Sequence, residues 1–230
     1  MNSFSKHNRD FYDKTSKQWL DQLAAIKGIY HHEDLVAIQP ELVQLIARST
    51  EVSILEIGSG YGRVAEWFVQ NFPLIRYCGF DFSQVSIDYC QRRFSDFSNM
   101  QFTVSDITDR QRSAQALAEH DLVLWPWGGL LEVSNLEKRR ALTNIFHLTK
   151  PGGQLLIELP KDLGTGEPLR FRNNNIIEQH SHFGFALNQI MAADEIETLS
   201  RHVGFIFQKK IEYATARHFK RYFLLLRKEI

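Results

Sequence analysis

Cysteine is nearly absent from this chain: Cys78 and Cys90 are the only two in 230 residues. The pair has neither the density of a disulfide scaffold nor the ligand spacing of a zinc site, so both are read as reduced, buried filler and no metal is expected. An excess of one charge is missing too, since 27 basic side chains meet 27 acidic ones. No positive field draws the chain to a phosphate backbone or an anionic bilayer, and a small or neutral partner is expected, with no nucleic acid and no membrane. Long apolar runs are also lacking. The first 13 residues are polar and charged, without the apolar core of a signal peptide, and no later stretch approaches the roughly 18 residues of a membrane span. A cytoplasmic protein is expected. Repeats and low-complexity tracts do not occur, and nothing indicates an oligomeric state.

What is present is 43% hydrophobic side chains, in a length that suffices for one sizeable core and is short for two. Residues 1–48 read as an N-terminal helical cap. Trp19, Leu20 and Leu23 share a face, and Pro40 followed by Leu42, Leu45 and Ile46 predicts a second helix with proline in its first turn. From residue 49 the period changes. Residues 52–57 form a short apolar strand ending in Gly58-Ser59-Gly60-Tyr61-Gly62, and Val64, Trp67 and Phe68 then carry helical spacing. The alternation repeats through strands at 77–82, 100–104, 121–124 and 154–159, with helices at 84–94 and 136–148. This predicts an α/β, doubly wound, mostly parallel sheet covered on both faces. Residues 161–190 show no clear period and are read as a lid-like insertion in a domain spanning 49–230. A helix at 194–203 is followed by Phe205, Phe207, Ile211 and Tyr213 alternating with polar residues, and by a last strand at 219–226. Two strands without a helix between them pair antiparallel, so the sheet should end in a hairpin. Lys220, Arg221, Arg227 and Lys228 are read as the protective charges of an edge strand.

Three features at successive strand ends carry the chemistry. The glycine turn lets the chain bend tightly and a ligand touch backbone, but its G-x-G-x-G spacing puts Arg63 where a dinucleotide fingerprint needs its last glycine. Asp81 lies roughly 20 residues on, where a carboxylate can accept both ribose hydroxyls, and Phe82 can cover an adenine face. Asp106 ends the third strand, where it can accept from an exocyclic amine while the Ile107 amide serves a ring nitrogen. Each aspartate alone is equally a turn or cap residue; the three features together suit the crevice at the carboxyl ends of an open α/β sheet.

In the order and spacing of Ile54-Leu55-Glu56-Ile57-Gly58-Ser59-Gly60-Tyr61-Gly62-Arg63, Gly79-Phe80-Asp81-Phe82-Ser83, Val104-Ser105-Asp106-Ile107 and Leu148-Thr149-Lys150-Pro151-Gly152-Gly153, the chain resembles the class I S-adenosylmethionine-dependent methyltransferases from about Glu51 onward. The resemblance implies a Rossmann-like seven-stranded sheet with an antiparallel terminal strand, and S-adenosylmethionine as cofactor with S-adenosylhomocysteine as product. It puts Gly58, Ser59 and Gly60 against the methionine moiety and Glu56 near its amino group. Asp81 falls on ribose, Asp106 and Ile107 on adenine, with Arg63, Phe82 and Trp125 nearby. Tyr12 and Trp19 look like the aromatic element that closes over the cofactor in small-molecule members; packing between helices is the equal alternative. Amino-methyltransferases of nucleic acids and proteins carry Asp or Asn, Pro, Pro and an aromatic residue after the fourth strand, and here Leu124 takes the polar position. Trp127 and Arg170 are candidates for acceptor contact, against core and solvated surface respectively. His180 and His182 are the candidate general bases, against a solvated lid. Methyl transfer to oxygen or nitrogen of a small molecule is the expected activity. The alternatives are a protein or tRNA methyltransferase, a non-catalytic cofactor-binding module and a nicotinamide dehydrogenase.

Overall fold

In the strand Ser53–Ile57 (β1), successive side chains alternate between two layers, and all five residues are buried. Ile54 joins a layer with Phe68, Tyr77 and Leu124, and Leu55 joins the opposite layer with Phe80, Val123 and Leu142. The computed structural model describes residues 3–25, 32–49, 51–109, 119–161, 169–172, 175–181, 184–216 and 218–229. After helices α1 (Ser3–Ala25) and α2 (Glu33–Ile46) come β1, α3 (Arg63–Asn71), β2 (Arg76–Asp81), α4 (Gln84–Arg93), β3 (Met100–Val104) and β4 (His120–Trp125). A 3₁₀ turn (Gly129–Glu132), α5 (Asn135–Leu148), β5 (Thr149–Pro160), β6 (Leu169–Phe171), β7 (Ile176–Ser181) and β8 (Gly184–Gln189) follow. The chain then closes with α6 (Ala193–Val203), β9 (Phe205–Ala214) and β10 (Lys220–Lys228). No helix among the described residues is long and apolar enough to cross a membrane.

The main sheet has seven strands in the order β3-β2-β1-β4-β5-β10-β9. β1 to β5 run parallel, and β10 is antiparallel to both β5 and β9. The expected Rossmann-like, mostly parallel sheet with an antiparallel terminal strand is therefore present. Strand order reverses between β1 and β4, and a crevice opens outside the carboxyl ends at such a switch point.

Four local expectations are corrected. Pro40 lies inside α2, which begins seven residues earlier; Leu35, Ile38 and Leu42 bury one face, and that packing outweighs the one lost backbone hydrogen bond. The stretch read as an irregular lid contains an antiparallel sheet, β6-β7-β8, whose polar strands hid its period. β10 is no edge: it is buried from Tyr222 to Leu226, β9 is the edge, and Arg221, Arg227 and Lys228 of β10 have partners. Lys228 Nζ donates to the carbonyls of Phe146 and Thr149 at the end of α5, and Arg221 pairs with Glu158. Last, the pairing of β9 with β10 skips Gln208. That extra residue reverses the facing, so Phe207 joins one layer and Ile211 and Tyr213 the other.

Candidate functional site

The glycine turn leaves β1 with Gly58 and Gly60 in left-handed backbone, and a side-chain carbon built on either would meet nothing within 4 Å. Here the chain exposes bare backbone to open space. Gly62 differs: a carbon there would come within 2.5 Å of the Phe94 ring, so this glycine seats α3 against α4 and leaves two of the three facing the cleft. The Cys90 thiol donates to the Gly60 carbonyl at 3.3 Å, and burial raises the thiol pKa values of both Cys78 and Cys90, which keeps them as thiols.

At the end of β2 the Asp81 carboxylate accepts from the Gly60 amide and the Ser83 amide, each at 2.8 Å. Burial raises its pKa, and these amides oppose the shift. Two backbone donors fix the carboxylate beside the glycine turn and leave lone pairs for a vicinal diol. At the end of β3, Asp106 Oδ1 accepts from the Thr108 amide and hydroxyl at 2.9 and 2.7 Å, and Oδ2 pairs with Arg9 of α1. The Arg9 guanidinium lies 5.8 Å from the Phe82 ring centroid, and Tyr12 meets the same ring edge-on at 5.7 Å. Gly60, Asp81, Phe82, Asp106 and Tyr12 thus form one connected cluster. Ile107 is buried beside it, its carbonyl bound by Asn144.

Beneath the turn, Glu56 is buried on β1 and accepts a hydrogen bond from the Tyr77 hydroxyl. Burial pushes its carboxyl up to about 8, against the opposing pull of Tyr77 and Arg63. Ser59 is also buried, and among the described residues its hydroxyl has no partner. Arg63 binds Asp34 of α2 bidentately, with 2.9 Å for the longer contact, and lies 4.8 Å from the Trp127 ring centroid. The Trp127 indole N–H donates to Asp34 at 3.2 Å. Trp127 has left-handed backbone (φ 58°), costly for a bulky residue, and the buried Glu158 carboxylate holds its amide in place. With 56% of its surface exposed, the indole is a rigid aromatic wall rather than core. Trp125 is buried, its indole close under Gly129.

α1 covers this cluster with an unusually polar stripe. Asn8, 4% exposed, bonds both the amide and the carbonyl of Leu187 on β8 and also the Glu132 carbonyl. Ser16 meets Ser83 at 3.0 Å, and the Tyr12 hydroxyl donates to the Glu132 carboxylate. Burial raises the Glu132 pKa to about 7, with Tyr12 opposing and the Asp81 charge adding to the shift. A groove of about 450 Å³ lies beside β3, lined by Gln91, Phe94, Phe97, Met100 and Phe102 among others. It shares no residue with the cluster.

The remaining expected site residues stand apart. His180 bonds Glu178 at 2.8 Å on β7 and packs on Phe185, and no described contact joins it to the strand ends. Arg170 is exposed on β6. His182 and the Trp19 side chain lie outside the described residues. Reading the sequence missed Arg9, Asp34, Glu132 and Glu158. A carboxylate a few residues past the fourth strand was the one signal for Glu132, and it is indistinguishable there from a helix-start acid. Among the described residues, no group of His, Cys, Asp and Glu could hold a metal ion.

Residues 54–153 match the family model described as a methyltransferase domain. A curated relative, the lovastatin diketide synthase of Aspergillus terreus, is 35% identical over 133 residues; the match takes in 53% of this chain and 5% of that protein, so the chain spans a small fraction of its length. Among solved structures, a Clostridium acetobutylicum S-adenosylmethionine-dependent methyltransferase aligns with a TM-score of 0.68 at 10% identity, over 93% of this chain and 99% of the other. The Burkholderia thailandensis 1,6-didemethyltoxoflavin-N1-methyltransferase, with 1,6-didemethyltoxoflavin and S-adenosylhomocysteine bound, aligns at 0.65 and 16% identity, over 97% and 91%. The magnesium protoporphyrin IX methyltransferase of Synechocystis, with its methyl donor bound, aligns at 0.65 and 14%, over 100% and 99%. At these identities the likeness is one of fold.

Proposed function

We propose that this chain, which carries a methyltransferase domain, is a class I S-adenosylmethionine-dependent enzyme that transfers the methyl group to an oxygen or nitrogen of a small-molecule acceptor by in-line displacement. The observation that carries the reading is the Asp81 carboxylate, bonded to the Gly60 amide beside open space over Gly58 and Gly60. That arrangement suits a ribose diol on Asp81 with the amino-acid tail over bare backbone, and the buried Glu56 carboxyl suits the ammonium of that tail. Asp106 and the Ile107 amide take the adenine edge, Phe82 and Tyr12 its faces, and residues 1–48 serve as the cap over residues 49–230.

Bound there, S-adenosylmethionine supplies a methyl on sulfonium sulfur, so most of the acceleration comes from holding a nucleophile in line with it. Trp127, held by Arg63, Asp34 and Glu158, is the acceptor's aromatic wall. A small acceptor is supported by the neutral charge and by Leu124 in the position of an amine-gripping side chain. It is supported further by the 1,6-didemethyltoxoflavin bound to the Burkholderia protein. The same balance of charge fits a cytoplasmic setting without nucleic acid.

Calorimetry tests the site: S-adenosylhomocysteine should bind and NADH should not, and Asp81→Ala should weaken the nucleoside by about tenfold to a hundredfold as buried hydrogen bonds are lost. Unchanged affinity in that variant removes the ribose assignment. Incubation with methyl-labelled cofactor and fractionated metabolites identifies the acceptor by where the label lands.

A further inference from the structure

We infer that Glu132, positioned by Tyr12, faces the transferring methyl and accepts the proton of the acceptor's nucleophile, which makes that nucleophile a neutral O–H or N–H group. The inference rests on the cofactor placement above and goes beyond it. The residues assigned to adenine, ribose and amino-acid tail stand at the ends of β3, β2 and β1 in that spatial order. The next strand end is β4, and the chain leaving it turns through the 3₁₀ segment that carries Glu132. Tyr12 joins the two halves: its ring meets Phe82 beside the ribose carboxylate and its hydroxyl binds Glu132 Oε1. Asn8 holds the Glu132 carbonyl at 2.8 Å and so fixes the backbone from which the carboxylate projects. Among the described residues, Tyr12 is the one side chain bonded to the carboxylate, which leaves Oε2 for a ligand. Through Tyr12 and Phe82, Glu132 is thus linked to the neighbour of the ribose carboxylate, Asp81.

The step balances. The nucleophile's lone pair forms a bond to the methyl carbon as the carbon–sulfur bond breaks and its electron pair stays on sulfur. The nucleophile's proton passes to Glu132 Oε2, and from there to water after the product leaves. A carboxyl poised near neutral pH suits that exchange. His180, on the far strand pair, is not needed for it.

The test uses two analogues: S-adenosylhomocysteine, with nothing at the methyl position, and sinefungin, with an ammonium there. A carboxylate facing that position should favour sinefungin by about tenfold or more, a charge-assisted hydrogen bond in a buried place. Glu132→Gln should bring the two affinities within about twofold while leaving S-adenosylhomocysteine unchanged, and Glu132→Asp should restore part of the preference. A preference that persists in Glu132→Gln overturns the inference. Should Glu132→Gln lose its fold, Tyr12→Phe removes the hydrogen bond that positions the carboxylate and should lower the preference; a preference unchanged there, with S-adenosylhomocysteine still bound, overturns the role given to the Tyr12–Glu132 pair. Failure of the wild-type protein to bind either analogue sinks the cofactor reading itself.

Discussion

Arg9 and Asp106 form an ion pair across the end of β3, and the guanidinium occupies the side of Phe82 assigned to adenine. The seat is imperfect, because Arg9 Nε is buried without a partner among the described residues. On the proposed placement, an adenine amine competes for the same carboxylate oxygen.

Arg9→Ala should therefore tighten S-adenosylhomocysteine binding by about threefold to tenfold, since the competent form no longer has to be released from a competing contact. Calorimetry reads the change directly. A tenfold weakening would instead make Arg9 a contact to the nucleoside.

The glycine turn predicts a contrast between neighbours. Gly62→Ala forces a carbon against Phe94 and should lower stability by about 1–3 kcal/mol through overpacking, beyond its backbone strain. Gly60→Ala meets no atom of the protein and should cost only the strain of left-handed alanine, about 1–2 kcal/mol, while weakening the nucleoside far more than Gly62→Ala does. Melting curves and calorimetry on both variants check the pair; equal effects would contradict the division.

Glu56 sets a pH dependence with a definite sign. Its carboxyl is raised from 4.5 to about 8 in the fold, so the folded state holds a proton that the unfolded chain releases first. This contribution is fully present below about pH 4.5 and is lost as pH rises toward about 8. Glu132, raised to about 7, acts in the same direction. Unfolding free energy without ligand should fall by a few kcal/mol across that window, and Glu56→Gln should remove part of the slope. A Glu56→Gln slope as steep as that of the wild type would show that Glu56 is not the source.

The Arg63–Asp34 pair is buried on both sides. Asp34→Ala leaves the guanidinium without its bidentate partner and the Trp127 indole without its acceptor, and should cost about 3–5 kcal/mol. Denaturant titration checks the loss, and a change below 1 kcal/mol would mean that the guanidinium finds water.

Much of this was legible because it is local. The bare turn after β1, Asp81 and Asp106 occupy short runs at strand ends, where few neighbouring residues decide both the backbone and the direction of the side chain. The missed residues acquire meaning through distant partners: Tyr12 reaches Glu132 across 120 positions and Arg9 reaches Asp106 across 97. No periodicity encodes such pairs. The β9 bulge shows the same limit, since Phe207 and Tyr213 share a parity in sequence and opposite layers in space. In β7 and β8 each face buries a polar residue, Glu178 opposite Leu187 on one and Asn188 opposite Ile177 on the other, so the pattern of oil and water that announces a strand was blunted.

Toward the strand ends α1 presents the amide of Asn8, the guanidinium of Arg9, the phenol of Tyr12 and the hydroxyl of Ser16, each bonded to a polar partner. Polar bonds have direction where apolar contact has none, so these four groups set the helix in one register above the two aspartates.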